Sequence, residues 1–127
     1  MYDFMNVNID DYQPPKTVPN GTEARVRIIE TEPNAEKCYI LCKLEIEGQD
    51  SFTAKIRHFV TYPKPDDDAT KRNNKLGMLK NFYEGFDITP GSDPSTWIGH
   101  GCWVIVNEET DPTYGSQNSL GRYSTKK

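Results

Sequence analysis

The sequence predicts a mainly β domain of five strands with one helix between the third and the fourth. Three observations carry that expectation: three short alternating runs between residues 22 and 64, a helical period after them, and two further strand segments near the C-terminus. At 127 residues the chain is sized for one domain, which buries roughly two-thirds of its unfolded surface.

Residues 1–21 carry Asp10-Asp11, Pro14-Pro15 and Pro19-Asn20-Gly21, a composition that disfavours a helix or a central strand and predicts an extended arm ending in a turn. The first strand runs from Glu23 to Glu30. Its Ala24, Val26 and Ile28 share one face, and Arg25 and Arg27 share the other, because successive strand side chains alternate. In the second, Cys38 to Glu47, Ile40, Cys42, Leu44 and Ile46 oppose Tyr39, Leu41 and Lys43. In the third, Phe52 to Tyr62, Ala54, Ile56, His58 and Val60 oppose Thr53, Lys55, Arg57 and Phe59. Turn chemistry at Glu32-Pro33-Asn34 and Gly48-Gln49-Asp50 joins the three as an antiparallel meander.

The period then changes. From Lys71 to Phe86, Leu76, Leu79, Phe82, Tyr83 and Phe86 recur at helical spacing, with Asp66 to Asp68 placed where negative charge favours a helix start. Gly77 costs about 1 kcal/mol relative to Ala inside that helix. A Gly/Pro/Ser loop from Thr89 to Ser95 leads through Trp97-Ile98-Gly99, with Trp97 a plug for the loop, into an apolar strand from Cys102 to Val106. A turn at Tyr114-Gly115 precedes the last strand, Leu120 to Tyr123, which places the domain at residues 22–123 and leaves 124–127 as a polar tail that frays. Strand-strand-strand-helix-strand-strand is the element order of the five-stranded OB barrel, whose second and third strands commonly contact oligonucleotides.

Charge bears on function. The net charge of −4 opposes nucleic-acid binding, which draws much of its affinity from Lys and Arg. Residues 22–64, however, balance seven basic side chains against seven acidic ones, so the excess acid lies outside the three strands. Screening over about 8 Å lets a locally positive face operate on an acidic protein. A curved sheet with a basic, aromatic outer face suits single-stranded nucleic acid, where Arg25, Arg27, Lys43, Lys55 and Arg57 track phosphates and Tyr39 and Phe59 stack on bases. Two alternatives stand beside that reading: a solvated sheet face, and Phe59 packed under the helix. Tyr123 and Trp103 are further aromatic candidates, with core packing the competing role for Trp103.

The other chemistries have weaker signals. Asp66 to Asp68, or Glu108-Glu109 with Asp111, contain oxygen ligands for Mg²⁺, but neighbouring acids in turns ordinarily face water and adjacent strand residues point opposite ways. Cys38, Cys42, Cys102, His58 and His100 form no CxxC or close His pair, so neither zinc nor another cofactor is expected. With Cys38 and Cys42 on one strand, their α-carbons lie about 13 Å apart, beyond disulfide reach, and the cysteines read as small buried hydrophobes. There is no Walker loop, GxSxG elbow or other nucleophile motif, so no enzyme is expected. No apolar run nears the roughly 20 residues of a membrane helix, and a cytoplasmic setting without membrane partners is the expectation.

Val18-Pro19-Asn20-Gly21-Thr22, Leu76-Gly77-Met78-Leu79 with Phe82, Trp97-Ile98-Gly99, and Tyr114-Gly115-Ser116-Gln117-Asn118 with Arg122-Tyr123 follow one another along most of the chain. In order and spacing they resemble a family of small bacteriophage single-stranded-DNA-binding proteins found among replication and recombination functions. The resemblance implies an OB-like fold, binding of single-stranded DNA or RNA in an infected bacterial cell, and phage or host replication proteins as partners. Arg122 and Tyr123 join the candidate binding set on this basis. Many single-strand binders end in an acidic recruiting tail, whereas this chain ends Ser124-Thr125-Lys126-Lys127. An exposed strand or the arm is where a second subunit would pair. The rival reading, from a different class, is an acidic interaction protein that binds another protein and no nucleic acid.

Overall fold

The computed structural model describes residues 2–113 and 115–126. Five strands and one α-helix form: β1 (Thr22–Asn34), β2 (Tyr39–Ile46), β3 (Ile56–Thr61), α1 (Ala69–Gly85), β4 (Gly101–Asp111) and β5 (Gly115–Tyr123). The arm, expected to be extended, instead winds two short 3-10 turns, Phe4–Asn6 and Ile9–Asp11, because the Asp3 and Asn8 side chains cap them, and a third such turn, Pro94–Trp97, precedes β4. The strands make one antiparallel sheet in the order β3-β2-β1-β4-β5. β1 sits at its centre because its 13 residues serve two partners, with Thr22 to Arg27 on β4 and Val26 to Asn34 on β2. The sheet curls until β3 and β5 approach, but no ladder joins them among the described residues, and the expected barrel is not closed.

The strand bounds depart from expectation for local reasons. Glu32-Pro33-Asn34 is strand and not turn; the reversal falls on the next four residues, where the Asn34 carboxamide accepts from the Lys37 amide at 3.0 Å and Cys38 takes a φ of 57°. Pro33 is tolerated because β4 has stopped pairing by then, leaving that side of β1 an edge. β3 begins at Ile56 instead of Phe52, since the Asp50 carboxylate accepts from the Phe52 amide at 3.0 Å and holds a turn there. Thr53 is accordingly buried and Ala54 half-buried, the reverse of strand alternation. The expected Tyr114-Gly115 turn falls partly outside the described residues, at Tyr114; Gly115 follows with a φ of 77°. Ser124, expected to fray with the tail, donates its hydroxyl to Glu23 at 2.7 Å, and Lys127 lies outside the described residues.

A bulge shapes β1. The register shifts between Ile28 and Glu30, so Ile29 is the extra residue and side-chain parity flips beyond it. Val26 and Ile28 point inward before the bulge; Glu30 and Glu32 point outward after it, opposite Lys43 and Leu41.

The core lies between the curled inner face and α1. Val26, Ile28, Cys42, Leu44, Ile56, Val104 and Val106 come from the sheet, and Leu79 and Phe82 from the helix. Asp68 caps α1, its carboxylate accepting from the Lys71 amide at 2.7 Å, which is a structural use for one member of the acidic cluster. Asp67 has another, bonding Lys75 at 2.6 Å and the Lys64 amide at 2.9 Å. Trp97 is buried against Phe82, ring centroids 5.5 Å apart, and donates its indole N–H to Ser92 at 3.0 Å. Cys42 is buried, Cys38 and Cys102 are half-buried, and burial pushes the Cys42 and Cys102 thiols up to about 12 and about 11, so neither is a thiolate at neutral pH.

His58 projects inward from β3, its ring stacked on Phe82 at 5.9 Å. Burial disfavours the imidazolium and holds its pKa below the ordinary 6.5. Between those two values the unfolded chain binds more protons, so stability falls as pH drops from 6.5 through the folded-state pKa. His58→Phe is expected to flatten that part of a melting-temperature profile; a slope equal to that of the wild type would mean another group titrates there.

Candidate nucleic-acid interface

The outer face of β3, β2 and β1 is a grid of register partners. From β3 through β2 to β1 its rows read Thr61-Tyr39-Asn34, Phe59-Leu41-Glu32 and Arg57-Lys43-Glu30, and Glu45 faces Arg27 in the row below. Tyr39 and Phe59 meet edge to face, centroids 5.1 Å apart, and the Arg57 guanidinium lies over the Phe59 ring at 5.8 Å. Phe59 is 45% exposed on this face, so it does not pack under the helix. Leu41 occupies the same face, as alternation places it, yet is only 5% exposed, set between Phe59 and Glu32 and apart from the main core. The Tyr39 hydroxyl accepts from Asn34 at 3.3 Å, which orients the ring.

The expected basic face is corrected by the acids that share it. Arg25 bonds Glu47 at 2.6 Å, Arg27 bonds Glu45 at 2.7 Å, Lys43 lies 3.3 Å from Glu30, and Lys55 lies 3.8 Å from Glu45. Alternation puts Glu45 and Glu47 on the side of Lys43, and the β1 bulge brings Glu30 and Glu32 to it. Arg57 is the exception among the five bases: no ion pair to it is found among the described residues, and its partner is the Phe59 ring. The candidate interface is therefore an aromatic and cationic corner, Tyr39, Phe59 and Arg57, beside an electrically balanced ladder to which the Lys43–Glu30 pair belongs.

Arg122 and Tyr123 separate. Arg122 pairs with Ile105 and is exposed on the outer face of β5. Tyr123 pairs with inward-facing Val104, packs edge-on to Phe86 at 6.2 Å and has its phenol pKa raised by burial, so it is a seam and core residue and not part of the outer face. Trp103, for which core packing was the competing role, sits on the outer face opposite Arg25, with the Lys126 ammonium 3.8 Å from its ring centroid. Its all-apolar strand carried no alternation to reveal that. Phe52, 48% exposed with Lys16 6.0 Å from its ring centre, is another aromatic at the surface, in the loop before β3.

Among the described residues no three His, Cys, Asp or Glu side chains converge as metal ligands, and no helix is long and apolar enough to cross a membrane. No protein-family profile and no curated protein matches the chain.

Glu45 is the electrostatic pivot of the face. Its carboxyl is held below the ordinary 4.5, first by the Arg27 hydrogen bond and then by the Lys55 charge. Glu45→Gln removes one negative charge and loosens both bases. It is expected to tighten binding to an oligo(dT) probe severalfold in an anisotropy titration at low salt, with a nearly unchanged melting temperature because exposed pairs contribute little to stability. Unchanged affinity would place the probe away from this ladder.

Proposed function

We propose that the protein is a non-catalytic, sequence-tolerant single-stranded-DNA-binding protein with an OB-like fold, coating exposed strands during phage replication or recombination. The observation that carries it is the Tyr39, Phe59 and Arg57 corner on the outer face of β2 and β3. Stacked rings accept any base because every base has a π-face, and a cation held at the same ring follows the backbone. Support for the OB-like form comes from the five-stranded curl, the helix between β3 and β4, and the partial opening that such barrels tolerate. The phage setting and the replication partners rest on the resemblance of the Val18 to Thr22 stretch, Leu76 to Leu79 with Phe82, Trp97 to Gly99, and Tyr114 to Asn118 with Arg122-Tyr123.

Because Glu30, Glu45 and Glu47 neutralise much of the face, stacking supplies more of the affinity than charge does, and binding weakens only gently as salt rises. The same neutralisation favours the second reading, an acidic interaction protein that leaves nucleic acid alone. Anisotropy titrations of labelled oligo(dT) and of a matched duplex at low salt separate the two. Saturable binding that prefers the single strand supports the proposal, and no binding to either probe supports the rival.

A further inference from the structure

The gap between β3 and β5 holds a cavity of about 720 Å³, lined by His58 and Val60 of β3, Leu79 and Phe82 of α1, and Leu120 and Tyr123 of β5. That volume is within the range proteins use to enclose ligands. At the far end of the same gap the chain fills the space itself. The Lys16 amide donates to the Phe52 carbonyl at 2.9 Å, the Ala54 amide donates to the Lys16 carbonyl at 2.9 Å, and the buried Asn118 carboxamide grips both the N–H and the C=O of Val18 at 2.9 Å. Residues 16–18 thus bridge the lead-in of β3 to β5 as an added strand would.

The arm before them is the other unpartnered surface. Tyr2, Phe4, Met5, Val7, Ile9 and Tyr12 are all exposed, Phe4 by 81% and Met5 by 93%. Residues 2–15 carry Asp3, Asp10 and Asp11 and no Lys or Arg. The arm cannot easily serve its own cavity. The Lys16 to Thr53 bridge is parallel, so the chain traced back from Lys16 runs away from His58 and Val60, and Pro14-Pro15 keep it extended.

We propose that the arm of one copy, residues 2–12, docks in the β3/β5 gap of a second copy, head to tail. The apolar arm side chains enter the cavity, and the arm carboxylates meet Arg122 at its rim, an arginine with no ion pair among the described residues. Glu84, the one acid in the lining, lies on the helix side of the mouth. Arm and cavity are different surfaces, so the contact is heterologous, and head-to-tail repetition carries it past the dimer into rings or open chains of subunits. The assembly needs no nucleic acid and its argument does not rest on the function proposed above, although Phe59 also borders the gap.

Sedimentation velocity without nucleic acid, across the micromolar to millimolar range, tests it with three proteins: wild type, an arm variant (Phe4→Ser with Ile9→Ser) and a cavity-rim variant (Met78→Asp with Arg122→Glu). All four positions are exposed, and melting temperatures check that both variants fold. The wild type is expected to grow past dimer with concentration and each variant to stay monomeric. An equimolar mixture of the two variants keeps one intact arm and one intact cavity, and so forms dimers and nothing larger. A wild type that stays monomeric throughout, an arm variant that associates as the wild type does, or a variant mixture that remains monomeric overturns the proposal.

Discussion

Phe59→Ala is expected to weaken oligo(dT) binding by roughly fivefold to 150-fold, the loss of about 1 to 3 kcal/mol that removing one stacking ring costs. The melting temperature should hardly move, because Phe59 is 45% exposed on the outer face and its ring neighbours are Tyr39 and Arg57 and not the core. The salt dependence should also hold, since a stacked ring releases no counterion. A sharp fall in melting temperature with intact affinity per folded molecule would assign Phe59 to structure and remove the aromatic half of the interface.

Phe82→Ala has the opposite signature. The ring is 2% exposed and lies 5.0 Å from Phe86, 5.5 Å from Trp97, and 5.9 Å from both Tyr83 and His58, centroid to centroid. It joins the helix to the sheet and to the loop ahead of β4 at one point. Truncation leaves a cavity among these rings that rigid neighbours cannot fill, and a destabilisation of about 3 to 5 kcal/mol is expected by urea unfolding. A cost below about 1 kcal/mol would mean that the helix is not packed on the sheet through this residue.

These two phenylalanines also mark what was legible in the sequence. Helical spacing put Phe82 on the buried side of α1 with Leu79, and strand alternation put Phe59 on the side opposite Val60. Most of the core was readable in the same way, because a buried face repeats every second or every third to fourth residue. The outer face was half readable. Alternation alone places Glu45 and Glu47 on the face of Lys43, but that they neutralise Arg27 and Arg25 depends on the β1/β2 register, which is not local information. Glu30 and Glu32 were beyond reach, since the Ile29 bulge inserts one residue and exchanges the faces of everything after it. Arg122 and Tyr123 are adjacent in one strand and so point to opposite faces, a constraint that the paired resemblance obscured. Closure of the barrel was not local information at all. It depends on whether β3 continues through residues 52–55, and there the Asp50 turn and the incoming Lys16 segment take the backbone groups that a longer strand would have used.

The central claim is that single-stranded DNA lies across the outer face of β2 and β3 at Tyr39 and Phe59. Photo-crosslinking with an oligonucleotide carrying halogenated uracil, followed by mass spectrometry of the digested protein, tests it most directly, because the photoproduct forms on an aromatic ring in contact with the base. The account predicts adducts on Tyr39 and Phe59 that vanish when unlabelled oligo(dT) is added in excess. No adduct, or adducts confined to Trp103, Phe52 or the N-terminal arm, would contradict it.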